Sequence, residues 1–216
     1  MIKNSDKIIL FKQYLDKNFP SAKCALNYSK DYELVIAVVL SAQTTDKAVN
    51  LVTPILFEHF YTLEKIQNAP LELIENDIRS IGLYRNKARS IKGIAGILIN
   101  EFNGVVPSDS RSLMRLPGVG NKTRNVIQAE LFNIPSIAVD THVERISKRL
   151  GLAKEKDTPD QVETRLRKLL KPKDYIKTNH QIIIFGRQVC HARNPKCAVC
   201  EMLSICRYFQ KRELEI

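Results

Sequence analysis

The chain of 216 residues is 44% hydrophobic and 26% charged, enough for one large domain or two small ones with an ample core. No apolar run approaches the ~18 residues of a membrane helix, and the apolar patch at residues 8–11 leads into Lys12, Gln13, Asp16 and Lys17 without a small-residue cleavage site. A membrane or secreted protein is therefore set aside, and a cytoplasmic location is expected, at the nucleoid if the source is bacterial. The formal charge is +11 and uneven: residues 1–142 carry 17 basic and 14 acidic side chains, residues 143–216 carry 17 and 9. Such a basic C-terminal third suggests a polyanionic partner, although solvated helix faces account for a basic excess as well.

In chain order the pattern is helical almost throughout, which predicts an all-α fold. Residues 5–18 form a first amphipathic helix. Residues 32–42 are apolar on all sides; a strand fits them too, but helical neighbours and the lack of hairpin signals favour a helix buried in a bundle. A polar break at 41–46 contains Gln43, and Thr45 can cap a helix to residue 60. A short helix over 62–68 follows, then one from Pro70, which suits a first helical position, to residue 80. The loop at 81–84 presents Leu83 and Tyr84 beside Gly82. Arg85, Lys87 and Arg89 then open a long helix to residue 102. Leu83 reads first as a hydrophobic staple onto that helix, and second as an apolar wedge between base steps. A short helix at 109–115 precedes the turn LPGVGNK and a helix over 121–131. After an apolar link at 134–139, Asp140 can cap a helix over 141–150 that carries Arg145, Lys148 and Arg149 and stops at Gly151. Thr158, Pro159 and Gln161 make a capping box for a helix to 171, where Pro172 prevents continuation. A last long helix spans 174–190.

Two stretches carry chemistry. In LPGVGNK, Pro117 fixes a backbone angle, while Gly118 and Gly120 permit positive φ and let a ligand approach the backbone around Val119. The helix starting at Asn121 aims unpaired N–H groups back at the turn, a ready phosphate site. Lys122 sits in its first turn, where the helix dipole disfavours a cation. It is either a phosphate contact or an amine meant to lose its proton and act as a nucleophile, and the turn alone leaves both open. The second stretch is the cysteine run. Cys190, Cys197, Cys200 and Cys206 are spaced C-x6-C-x2-C-x5-C, and four thiols this dense in a chain lacking secretory signals point to metal before disulfides. Zinc and a four-iron, four-sulfur cluster both fit that spacing. Cys24 stands apart and reads as a buried thiol.

LPGVGNK at 116–122, IAVDTH at 137–142 and the cysteine run, with LSAQTTD at 40–46, IGLYRNKA at 81–88 and FGRQVC at 185–190, closely resemble the endonuclease III family of DNA glycosylases. The resemblance covers nearly the whole chain, and its combination of motifs is highly specific. It implies a two-lobed helix-hairpin-helix glycosylase fold: a six-helix barrel at 22–132, and a discontinuous iron–sulfur domain at 1–21 and 133–216. It implies Lys122 and Asp140 as the catalytic pair and the four cysteines as ligands of a 4Fe-4S cluster. The hairpin residues 117–121 and Arg145 would lie on double-stranded DNA with damaged bases or abasic sites. Gln43 and Leu83 would fill the gap or wedge the stack when a nucleotide is flipped out. The lysine must be neutral to attack, and a helix start, neighbouring cations and partial burial all favour that form. Adenine-removing mismatch glycosylases share the hairpin, aspartate and cysteine run, but usually lack the lysine and carry a further C-terminal domain. This chain has the lysine and ends ten residues after Cys206, which favours a bifunctional glycosylase/lyase acting on oxidised pyrimidines. Arg124 and Glu130 depart from the smaller or apolar residues common at those positions in relatives. A non-catalytic DNA-binding protein with a zinc-held basic loop is the alternative of a different class. Nothing requires an oligomer, so a monomer is expected.

Overall fold

In a computed structural model, which describes residues 2–213, the regular structure is twelve α-helices and three 3-10 turns, with no strand among the described residues. The chain divides into two compact units: Ala25–Ile134, and a discontinuous unit of Met1–Cys24 with Pro135–Ile216.

The chain opens in the discontinuous unit with α1 (Asn4–Asn18). Ile8, Phe11, Tyr14 and Leu15 are buried at helical spacing while Ile9 and Leu10 are exposed. The apolar patch at 8–11 is thus half of a buried stripe.

The continuous unit is built on α2 (Asp31–Leu40), whose residues 34–40 are all buried. Helix won over strand because its ends are closed locally: Glu33 accepts from the backbone N–H of Ser29 and Lys30 at the N-terminus, and Ser41 donates to Val38 O at the other end. Thr45 caps α3 (Asp46–His59) and Thr62 caps α4 (Leu63–Asn68), each hydroxyl accepting a backbone N–H at 3.2 Å. Pro70 does not open α5 (Leu71–Asp77); it stands one place earlier with ψ 135°, and its carbonyl receives the Leu73 N–H. The long α6 (Tyr84–Phe102) packs on α2, α4 and α5. Asp109 caps the single turn of α7 (Ser110–Leu113), and α8 (Asn121–Phe132) packs on α2.

The rest of the discontinuous unit comprises α9 (Thr141–Leu150), α10 (Pro159–Leu169), α11 (Tyr175–Gln188) and α12 (Arg207–Glu213). The Thr158–Gln161 box opens α10, and Gly151, at φ 76°, closes α9. Phe185 of α11 is the hub: its ring meets Phe11 at 5.4 Å and Tyr14 at 5.6 Å, both edge-on. Gln181, one turn earlier and fully buried, donates to Asp16 and to the Phe19 carbonyl. The N-terminal helix is therefore stitched to a segment more than 160 residues away in sequence.

Candidate active site and cysteine pocket

The hairpin is a turn fixed by two residues. The Leu116 carbonyl accepts the Val119 N–H at 3.0 Å, with Pro117 in the second place and Gly118 at φ 86° in the third, the residue order of a type II turn. Leu116 and Val119 are buried and anchor it. A Cβ on Gly118 would stand 2.8 Å from Val39 Cγ1, so glycine is required there both by angle and by space. Gly120 differs from expectation. It is extended, with φ −105°, and nothing lies within 4 Å of where its Cβ would be. It serves by being bare: it is the N-cap of α8, with no side chain over the helix start. Asn121 and Lys122 are exposed beyond it, and the first turn holds no acid. The partial burial expected of Lys122 is not supplied by the chain. Arg124 lies one turn in, donating to Asn125 Oδ1 and reaching Met114 Sδ, which ties α8 back to the end of α7.

Gln43 and Leu83 lie in the same unit as the hairpin. Both are exposed, and both have left-handed backbones, φ 56° and 60°. The other non-glycine residues with positive φ among those described are all asparagines, which tolerate that region.

Asp140 caps α9 with one oxygen. Its Oδ1 accepts the N–H groups of His142 and Val143 at 2.9 and 2.8 Å; Oδ2 takes no hydrogen bond among the described residues, and the side chain is half-buried. Beside it, burial pushes the His142 imidazole pKa down, against the pull of the Asp140 carboxylate. Arg145 Nη2 lies 3.0 Å from His142 Nδ1. Arg145, expected on DNA, spends its guanidinium on the chain itself: it also donates to the carbonyls of Thr141, Gly186 and Cys190.

Cys190 follows α11, Cys197 and Cys200 bracket a 3-10 turn, and Cys206 precedes α12. None is in a disulfide, and all four line one cavity with Ile146, Phe185 and Val189. Burial pushes the thiols of Cys200 and Cys206 up, and the neighbouring cysteines add to it. Four thiolates gathered so closely need shared positive charge, which a sulfur-ligated metal group supplies. The four cysteines stand around the walls of one cavity, and an all-thiolate donor set fits a sulfur-ligated metal group. Arg149 was read only as one of the basic residues of its helix, and its place at the cysteines was not foreseen. It donates to Cys190 Sγ at 3.2 Å and to the carbonyls of His191 and Ala192, and stacks 4.4 Å from the Tyr208 ring. Its spacing of four from Arg145 on one helix was the available signal.

Residues 36–172 match the family model of the HhH-GPD superfamily of base excision DNA repair proteins, a span that holds both the hairpin and Asp140. Endonuclease III of Bacillus subtilis is 49% identical over 195 residues, 90% of this chain and 89% of that protein. The chain belongs to the endonuclease III family. A solved endonuclease III–DNA non-covalent complex covers 99% of this chain and 100% of its own, with 47% identity and a TM-score of 0.95. A trapped covalent endonuclease III–DNA intermediate, at 47% identity over the same shares, gives 0.94. The fold is the helix-hairpin-helix glycosylase fold, and the activity is that of a base-excision-repair DNA glycosylase and AP lyase. This sets aside the non-catalytic DNA-binding alternative. Among the described residues, no helix is long and apolar enough to cross a membrane.

Proposed function

We propose that this member of the endonuclease III family removes oxidised pyrimidines from duplex DNA and cleaves the strand at the resulting or at a pre-existing abasic site, with Lys122 as nucleophile and Asp140 as the catalytic carboxylate. The observation that carries this reading is Lys122 itself: an exposed amine in the first turn of a helix whose N-cap is a bare glycine and whose first turn holds no acid. A phosphate can approach the backbone there, and the lysine is presented beside it. Since the chain leaves Lys122 open to solvent, bound DNA is what desolvates it.

A base within a duplex is out of reach, so it is first extruded, with Gln43 and Leu83 entering the stack. Lys122 Nζ attacks the sugar C1′, the bond to the base breaks, and the base leaves carrying a proton. The carboxylate of Asp140 stabilises positive charge developing on the sugar and relays protons through its unengaged Oδ2. The sugar ring opens to an iminium on Nζ, which acidifies the C2′ proton; its loss expels the 3′ phosphate. Only an amine forms an iminium with a sugar aldehyde. In this reading the continuous unit carries the barrel and hairpin. The discontinuous one holds a 4Fe-4S cluster on Cys190, Cys197, Cys200 and Cys206, which braces a basic loop when bound. The protein acts as a monomer in the cytoplasm.

Borohydride trapping tests the assignment, using a duplex with an oxidised thymine and one with an abasic site. The wild type is expected to give a covalent adduct with both, and Lys122→Ala with neither. An adduct persisting in Lys122→Ala would move the nucleophile elsewhere. Tight DNA binding without adduct or strand break in the wild type would overturn the Schiff-base route.

A further inference from the structure

Lys87 lies in the first turn of α6 and is 6% exposed, the one buried lysine among the described residues. Its ammonium has three protons and three acceptors: Leu40 O at 2.8 Å, Ala42 O at 2.7 Å and Thr44 Oγ1 at 2.9 Å. No carboxylate pairs with it among the described residues. Its charge is met instead by the carbonyl end of α2, the negative pole of that helix. Burying a cation without a counter-ion is costly, and burial does push the Lys87 pKa down.

The geometry shows what the cation secures. Ala42 and Thr44 flank Gln43, so two of the three bonds, one to a backbone carbonyl and one to the Thr44 hydroxyl, hold the turn on either side of that strained, exposed residue. The backbone N–H of the same Lys87 donates to the Leu83 carbonyl at 3.1 Å, closing the first turn behind the second strained, exposed residue. Glutamine and leucine do not hold left-handed angles by preference. Both hold them here, and both are tied to one lysine.

We propose that Lys87 is a positioning residue that joins the Gln43 turn and the Leu83 turn into one rigid two-pronged element for entry into the base stack. This rests on the stack-insertion reading given above. Loss of the ammonium frees the Gln43 turn to relax from its left-handed angle, and the two prongs then no longer enter the duplex at a fixed separation. A substrate with no base left to extrude depends on this far less than a paired lesion does.

The test is a double-mutant cycle on the full-length protein. Lys87→Met, Gln43→Ala and Leu83→Ala are made singly, and Lys87→Met is combined with each of the others. Two rates are measured under single turnover: excision of an oxidised thymine from a duplex, and cleavage at a preformed abasic site. Lys87→Met is expected to slow excision about 10- to 100-fold, as for a lost charged hydrogen-bond set, and to leave abasic-site cleavage within about threefold. It should add little further loss on top of Gln43→Ala or Leu83→Ala. Equal loss of both rates, or full additivity with both alanine variants, overturns the proposal while leaving stack insertion standing. Excision unchanged in Gln43→Ala and Leu83→Ala overturns the insertion reading and the proposal with it. Should Lys87→Met not fold, Thr44→Val decides: it removes one acceptor at the turn and is expected to show the same selective loss on a smaller scale, and unchanged excision there counts against Lys87.

Discussion

At Asp140 one carboxylate oxygen is occupied by two backbone N–H groups and the other is not, so its structural and chemical roles separate by substitution. Asparagine is as good an N-cap as aspartate, whereas alanine at a cap costs about 1 kcal/mol. Asp140→Asn is therefore expected to melt with the wild type and yet lose on the order of 100- to 1,000-fold in single-turnover excision, the scale of a lost transition-state charge contact. Asp140→Ala should show the same loss of rate and a lowered melting temperature. An active Asp140→Asn would reduce the residue to a cap. The proposed reacting residues stood out in the sequence because their types are rare in their settings, a lysine where a helix disfavours one and an aspartate ending an apolar run, but their roles came from the family resemblance. Lys87, Arg145 and Arg149 were not readable in the same way. What they do depends on carbonyl groups more than 40 residues away in the case of Lys87 and of both arginines, and no local pattern announces a carbonyl.

The hairpin's two glycines make opposite demands on the same short element. Gly118 combines φ 86° with a 2.8 Å approach to Val39, while Gly120 has an ordinary angle and empty space around it. Gly118→Ala should destabilise by about 2–3 kcal/mol, from the left-handed penalty and the forced contact with a core valine together. Gly120→Ala should melt within about 0.5 kcal/mol of the wild type and weaken DNA binding, because its methyl group occupies the approach to the helix start. Thermal melts and DNA titrations on both variants check this, and a large stability loss in Gly120→Ala would refute it. Several helices were legible because they carry their own capping residue: Thr45, Asp140 and Thr158 each receive the backbone N–H expected, and Thr62 and Asp109 cap α4 and α7 in the same way without having been read as caps. The expected start at Pro70 missed by a residue, since a proline can also stand just outside a helix. α12 and the 3-10 turns were missed altogether. α12 and two of the three turns, Cys197–Val199 and Leu203–Ile205, lie around the cysteines, where chain direction answers to the walls of a cavity and not to a hydrophobic period.

Across the whole molecule, the two compact units are expected to differ in what they need. Phe185 belongs both to the aromatic contacts with α1 and to the cysteine-lined cavity. Cys200→Ser should therefore abolish the broad visible absorption expected of an iron–sulfur cluster at about 400 nm and lower the melting of the discontinuous unit, leaving the helical signal of Ala25–Ile134 to melt later. A single coincident transition, or a colourless wild type containing zinc, would contradict the assignment. The basic excess of residues 143–216 was legible as a number but not as an address: Arg145 and Arg149 spend it on carbonyl groups, and Lys148, Arg165 and Arg167 on Glu144, Asp157 and Glu163. The discontinuity of this unit also bears on its synthesis. A ribosome releases α1 first and α11 nearly last, so Ile8, Phe11, Tyr14 and Leu15 leave the exit tunnel with no partner helix yet made. Ala25–Ile134 is complete long before that partner exists. For most of translation the nascent chain thus carries Ala25–Ile134 complete while the apolar face of α1 still lacks α11.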